Sequence, residues 1–125
     1  QEGVIQQPQK QRVVYHISEA KKVPFVLGNI NNHIDGVGSP DRVEIVVVVH
    51  GEGHNGFLRS RASQEVATEV ELLQVQDVKF EICGNTLNGY GTSLKDLVGE
   101  FTRLNQGGVV RMVELQMQGF AYLRP

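Results

Sequence analysis

One cysteine and four histidines carry most of the reactive chemistry of this chain. Cys83 leads into Gly84-Asn85-Thr86, a turn sequence that can aim backbone N–H groups at the sulfur. The N-terminus of a following helix adds to that field and favours thiolate, the nucleophilic form. The competing use of the same residue is an inert, buried core cysteine. His50 opens the stretch His50-Gly51-Glu52-Gly53-His54, whose glycines let the backbone approach a ligand closely. Together with His16 and Cys83, His50 and His54 make a set of imidazole and thiolate groups of the kind that binds copper or zinc. An HxxxH pair normally grips metal from one helical turn, and the intervening glycines argue against a helix here. His50 as proton donor or acceptor beside Cys83 fits better. His33, near the end of a helical stretch, reads as a solvated or capping residue.

Other chemistries find less support. Gly51, Gly53 and Gly56 satisfy the bare GxGxxG spacing, but after the second strand and with Glu52 inside the loop, where phosphate would meet an acid. Arg59 and Arg61 follow and read as solvated surface residues able to hold an anion. No serine sits in GxSxG; Ser60, Ser63 and Ser93 look like helix entries. A single cysteine excludes an internal disulfide framework, a CxxC redox pair and a Cys-rich zinc module. A net charge of −2 gives no footprint for phosphate backbones, so no nucleic-acid partner is expected. No apolar run approaches the ~20 residues of a membrane span, so no membrane partner is expected.

The elements that must position these side chains are legible as an alternation. Residues 12–18 (RVVYHIS) read as a strand. Val23, Leu27, Ile30 and Ile34 then recur at helical spacing, with Ser18 available as a cap, Pro24 in the first turn, and Gly36, Gly38 and Pro40 as breakers. Residues 42–49 (RVEIVVVV) are apolar on both faces, the mark of a central strand covered on each side. Residues 50–56 read as a glycine-rich loop. A helix follows over 62–76, with Val66, Val70 and Leu73 inward and Glu65, Glu69 and Glu71 largely outward. Residues 78–83 (VKFEIC) alternate, as in a strand less fully covered than the second. Beyond it come a turn over 84–91, a short helix capped by Ser93 through Val98, and a weak strand over 100–104. A helix over 109–118 has Val109, Val113 and Met117 on its inner stripe, and a final strand covers 120–123.

Five strands alternating with helices in 125 residues argue for one α/β domain with a mainly parallel sheet. Residues 1–11 are glutamine-rich and read as a flexible lead-in, leaving 12–125 as the domain. Gln1 in place of a methionine slightly favours an exported, periplasmic chain, with a trimmed cytoplasmic one as the alternative. In an open parallel sheet ligands bind beyond the carboxyl ends of the strands. His16, His50 and Cys83 fall near the ends of the first, second and third strands, at one edge.

The segments VVYHI, IVVVVHGEG, VKFEICGNTL and VELQMQGFAYLRP, in this order and spacing over about residues 12–125, resemble the DsrE/DsrF-like family of small sulfur-handling proteins. The resemblance implies a three-layer α/β/α fold with a mainly parallel five-stranded sheet, assembled as homotrimers or homohexamers. It also implies a cysteine that holds sulfane sulfur as a persulfide, accepted from a donor protein or small persulfide and passed to a partner thiol. By position that cysteine is Cys83, and His50 lies where the family often has a histidine-glycine pair near the pocket. On this reading Cys83 and His50 are the catalytic pair, His16, Gly51, Gly84 and Asn85 shape the pocket, and no cofactor is needed. The alternatives are a non-enzymatic metal- or small-ligand-binding oligomer built on His16, His50, His54 and Cys83, and an assembly protein whose pocket no longer performs chemistry.

Overall fold

The computed structural model describes residues 9–125. Of the lead-in expected over 1–11, positions 1–8 therefore lie outside the described residues, Gln9 and Lys10 are exposed coil, and Gln11 already belongs to a strand. The chain runs β1 (Gln11–Ile17), α1 (Val23–Val37), β2 (Val43–Val49), α2 (Gln64–Val75), β3 (Lys79–Cys83), α3 (Gly84–Tyr90), β4 (Thr102–Leu104), α4 (Gly108–Met117) and β5 (Ala121–Leu123). The strands form one sheet in the order β4-β3-β2-β1-β5. Every pairing is parallel, so the expected mainly parallel sheet is wholly so. No described helix is long and apolar enough to cross a membrane.

Alternation along the strands divides the apolar residues between two helical layers. On one face Val13, Tyr15, Ile17, Ile45, Val47, Val49, Phe80 and Ile82 pack with Leu27 and Ile30 of α1 and Val70 and Leu73 of α2. On the other, Val14, Val46, Val48 and Leu104 pack with Met112 and Leu115 of α4 and with Phe120. β2 is buried on both faces, as its apolar run requires. Ser63 caps α2 by accepting a hydrogen bond from the Val66 N–H at 3.1 Å.

Several local expectations are overturned. Ser18 does not cap α1: a 3₁₀ turn, Ala20–Lys22, intervenes and Lys22 stands at the cap. Residues 50–56 are not irregular, because Gly51–Phe57 winds into a 3₁₀ helix. Gly53 and Gly56 serve packing, too close to the Ile17 carbonyl and the Val23 side chain to bear a Cβ, and Glu52 accepts a hydrogen bond from the Ala20 N–H. Residues 84–91 are largely helix α3, not a turn. The short helix after Ser93 contracts to one 3₁₀ turn, Leu94–Asp96, closed by a Ser93–Asp96 capping box. β3 is slightly less covered than β2, as expected, but its alternation does not mark a solvent-facing side: Phe80–Cys83 is buried, and Glu81 tolerates burial by pairing with Arg111 of α4.

The largest correction concerns α4. Its buried residues are Gly108, Met112 and Leu115, while Val109, Val113 and Met117, the expected inner stripe, are 62%, 50% and 83% exposed. Glu81 explains the inversion. Its carboxylate on the sheet draws Arg111 inward through hydrogen bonds of 2.8 and 3.1 Å, which rotates the more apolar stripe outward.

Candidate functional site

Cys83 ends β3 and α3 begins at the next residue, so the cysteine stands at a strand-to-helix junction. This junction is tight. A Cβ on Gly84 would lie 2.7 Å from the Leu104 carbonyl oxygen, so only glycine lets α3 start against β4. Arg103 reinforces the contact by donating to the Asn88 side chain at 2.9 Å and, more weakly, to the Gly84 carbonyl at 3.4 Å.

From the opposite side comes the start of α4. Gly107 holds φ at +90°, where L side chains are strained, and so swings the helix onto the cysteine. A Cβ on Gly108 would sit 3.3 Å from that of His50 and 3.4 Å from that of Cys83. Glycine at this position lets the ends of β2 and β3 and a helix N-terminus meet.

The result is a cradle of donors around one sulfur. Burial pushes the Cys83 thiol up, but the polar N–H groups of Gly108, Thr86 and Asn85 and the Thr86 hydroxyl, grouped around the sulfur without a formal capping hydrogen bond, together outweigh it. The net shift is below the ordinary thiol value, which favours thiolate. Thr86 is a bridge: its Oγ1 also accepts from the Gly51 N–H at 2.8 Å, tying the loop after β2 to α3.

The histidines divide into two groups. His50 donates its backbone N–H to the Ile17 carbonyl, which locks it beside the end of β1. Its Nδ1 lies 2.9 Å from Nε2 of buried His16, whose Nδ1 lies 2.6 Å from the Tyr122 hydroxyl of β5. Burial, the neighbouring His50 and Arg124 push His16 down to about 4, so its ring is neutral near neutral pH. His54 is elsewhere: it is buried, its Nε2 pairs with the Thr92 hydroxyl at 3.0 Å, and its ring lies against Tyr90. His33 is neither free nor a cap, because its ring bridges the Tyr15 hydroxyl and the Gln11 side chain, each at 2.7 Å.

His50 and Cys83 share an open cavity of about 380 Å³, lined also by Asn85, Thr86, Tyr90, Gly108 and Val109. No acidic side chain, lysine or arginine lines it. Of the residues singled out in the sequence, His50, Cys83 and Asn85 therefore reach one cavity. His16 stands behind His50, Gly51 braces Thr86, Gly84 sets the junction, and His54 points away. Among the described residues no group of three or more His, Cys, Asp and Glu side chains is arranged to hold a metal ion. Sequence reasoning missed Thr86 as a side-chain donor, Gly108 as an amide donor, and Tyr122. Thr86 was visible within the turn sequence, but Gly108 and Tyr122 depend on strand order and helix placement.

The fold and site define a small, all-parallel α/β protein with a thiolate-favouring cysteine at the carboxyl edge of its sheet. The chain belongs to the family of the protein of unknown function MTH1491 from Methanobacterium thermoautotrophicum: the two are 33% identical, with a TM-score of 0.79, over 92% of this chain and 99% of that one. The fold is shared with BT1422, a conserved protein of unknown function from Bacteroides thetaiotaomicron, at 14% identity and a TM-score of 0.68 over 93% and 95% of the two chains. It is shared too with the ychN protein from E. coli, at 13% identity and 0.62 over 94% and 100%. No protein-family model and no curated protein matches the chain.

Proposed function

We propose that this chain is a sulfur carrier of sulfurtransferase-like chemistry, holding sulfane sulfur as a persulfide on Cys83 and passing it to a partner thiol. The observation that carries the reading is the donor cradle of Gly108, Thr86 and Asn85, which favours thiolate at a buried cysteine beside an open cavity. An apolar burial site pushes a thiol up, whereas the polar surroundings of Cys83 bring it down. The resemblance to DsrE/DsrF-like proteins over residues 12–125 points the same way. His50, lining the same cavity, is the group that exchanges a proton with the incoming or departing thiol. No second cysteine is needed, because the thiol that discharges the persulfide belongs to the partner.

Incubation with a small alkyl persulfide is expected to add one sulfur atom to the intact protein, located by peptide mass spectrometry on Cys83. Cys83→Ser is expected to abolish the adduct. Wild-type protein that stays unmodified while a control thiol loads would falsify the carrier reading.

The same reading includes assembly as a homotrimer or homohexamer. Val109, Val110, Val113 and Met117 make an exposed apolar stripe on α4, and Val109 and Val110 also border the Cys83 cavity. Native mass spectrometry is expected to give three or six times the 13.9 kDa chain mass. The double substitution Val113→Glu and Met117→Glu is expected to release monomer, and a wild-type monomer would contradict the assembly.

A further inference from the structure

We infer that Tyr122 and His16 are positioning residues that fix the tautomer of His50 and join its ring to solvent as a proton relay for the Cys83 cavity. The inference deepens the carrier reading and rests on it for the chemistry served. Three side chains from three neighbouring segments make the chain of contacts. Val14 pairs with Tyr122 in the β1–β5 register, which places the tyrosine on the sheet face that carries Val14 and His16. Its hydroxyl lies 2.6 Å from His16 Nδ1, and His16 Nε2 lies 2.9 Å from His50 Nδ1. His50 Nε2 has no protein partner among the described residues, and it belongs to a ring that lines the cavity.

Chemistry sets the direction of these bonds. A phenol is a better proton donor than neutral imidazole, and an imidazole nitrogen is a better acceptor than a phenol oxygen. Tyr122 therefore donates to His16 Nδ1, which puts the His16 proton on Nε2. That proton is donated to His50 Nδ1, so the His50 proton sits on Nε2. Burial and Arg124 keep His16 neutral, so it does not donate from both nitrogens.

During loading, the Cys83 thiolate attacks the outer sulfur of a donor R–S–SH. The S–S bond breaks and its electron pair leaves on R–S⁻, which takes the proton from His50 Nε2. In the same concerted shift, so that no imidazolate forms, His50 Nδ1 takes the His16 Nε2 proton, His16 Nδ1 takes the Tyr122 proton, and Tyr122, 40% exposed, recovers one from water. The products are Cys83–S–SH and R–SH, with one proton drawn from solvent. During discharge the acceptor thiol gives its proton to His50 Nε2 and the relay runs back, releasing a proton at Tyr122. The acceptor thiolate takes the outer sulfur and the Cys83 thiolate returns.

Nitrogen-15 NMR of the histidine rings in the full chain tests the tautomer, and Tyr122→Phe tests the relay. Wild-type His50 is expected to carry its proton on Nε2, and the variant to show a mixture of both tautomers. A wild-type His50 protonated on Nδ1, or a variant with an unchanged spectrum, overturns the inference. The kinetic arm compares Cys83 loading by an alkyl persulfide, whose leaving thiolate needs a proton, with attack on an activated aromatic disulfide, whose thiolate leaves without one. The ratio of the two rates is expected to fall about tenfold in Tyr122→Phe, a fraction of what general acids contribute. An unchanged ratio overturns the relay, including the case in which both rates fall together through distortion. Wild-type protein that accepts no persulfide sulfur defeats the carrier reading, and the tautomer spectrum then still decides the positioning role.

Discussion

Replacing Arg111 with methionine is expected to lower folding stability by about 3 kcal/mol and to raise the Cys83 thiol pKa in the same protein. The Glu81 side chain is 10% exposed on the inner part of the sheet, and the Arg111 guanidinium is its bidentate partner. Methionine keeps the aliphatic bulk of the arginine and removes the charge, leaving a carboxylate buried without compensation. Breaking a buried pair from one side costs about 3–5 kcal/mol, and the partial exposure of Arg111 places this case at the lower end. Arg111 lies one turn into α4, so the same pair also holds the Gly108 N–H against the sulfur. Urea denaturation and the pH profile of iodoacetamide alkylation read the two effects. Adding Glu81→Leu is expected to restore most of the stability, because the orphaned charge is then gone. A single Arg111→Met variant as stable as wild type would show that the pair does not anchor α4.

Thr86→Val is expected to raise the Cys83 thiol pKa and so reduce its thiolate population near neutral pH by about tenfold. Valine matches threonine in shape but loses the hydroxyl that helps bring the thiol down and that accepts from the Gly51 N–H. The alkylation profile should move to higher pH, while the rate for fully ionised thiolate changes little. Stability carries a matching signature. The folded thiol has the lowered pKa, so the folded state binds fewer protons than the unfolded one between that value and the ordinary thiol value. This contribution is fully present above the ordinary value and lost as pH falls through the folded one. Thr86→Val narrows that window and Cys83→Ser removes it. An alkylation profile identical to wild type would place the hydroxyl outside the cradle.

What the sequence shows of this protein depends on how local each signal is. The apolar run of β2 and the strand-end positions of His50 and Cys83 are local patterns, and the structure places them as read. Residues 84–91 hide α3 because three glycines and two asparagines mask a helix whose start is fixed by Cys83 at the cap and by contact with β4. In α4 the stripe of Val109, Val113 and Met117 has ideal helical spacing for a core, and local pattern cannot reveal that Arg111 must turn inward to Glu81 thirty positions away. Tyr122 joins His16 only because β5 crosses the sheet to lie beside β1, a neighbour relation absent from any local window. The aromatic set Phe57, Phe80 and Phe101, with ring centroids 5.3–6.1 Å apart, is distributed along the chain in the same way.

The most direct test of the central claim follows one sulfur atom through a single turnover. Protein loaded with one equivalent of isotopically labelled persulfide sulfur, freed of donor, is mixed with an excess of acceptor thiol and sampled by intact-mass spectrometry. The account predicts that the one-sulfur adduct on Cys83 disappears as the label appears on the acceptor persulfide, leaving unmodified protein. A label that never enters Cys83, or that stays there while the acceptor remains unlabelled, would contradict it.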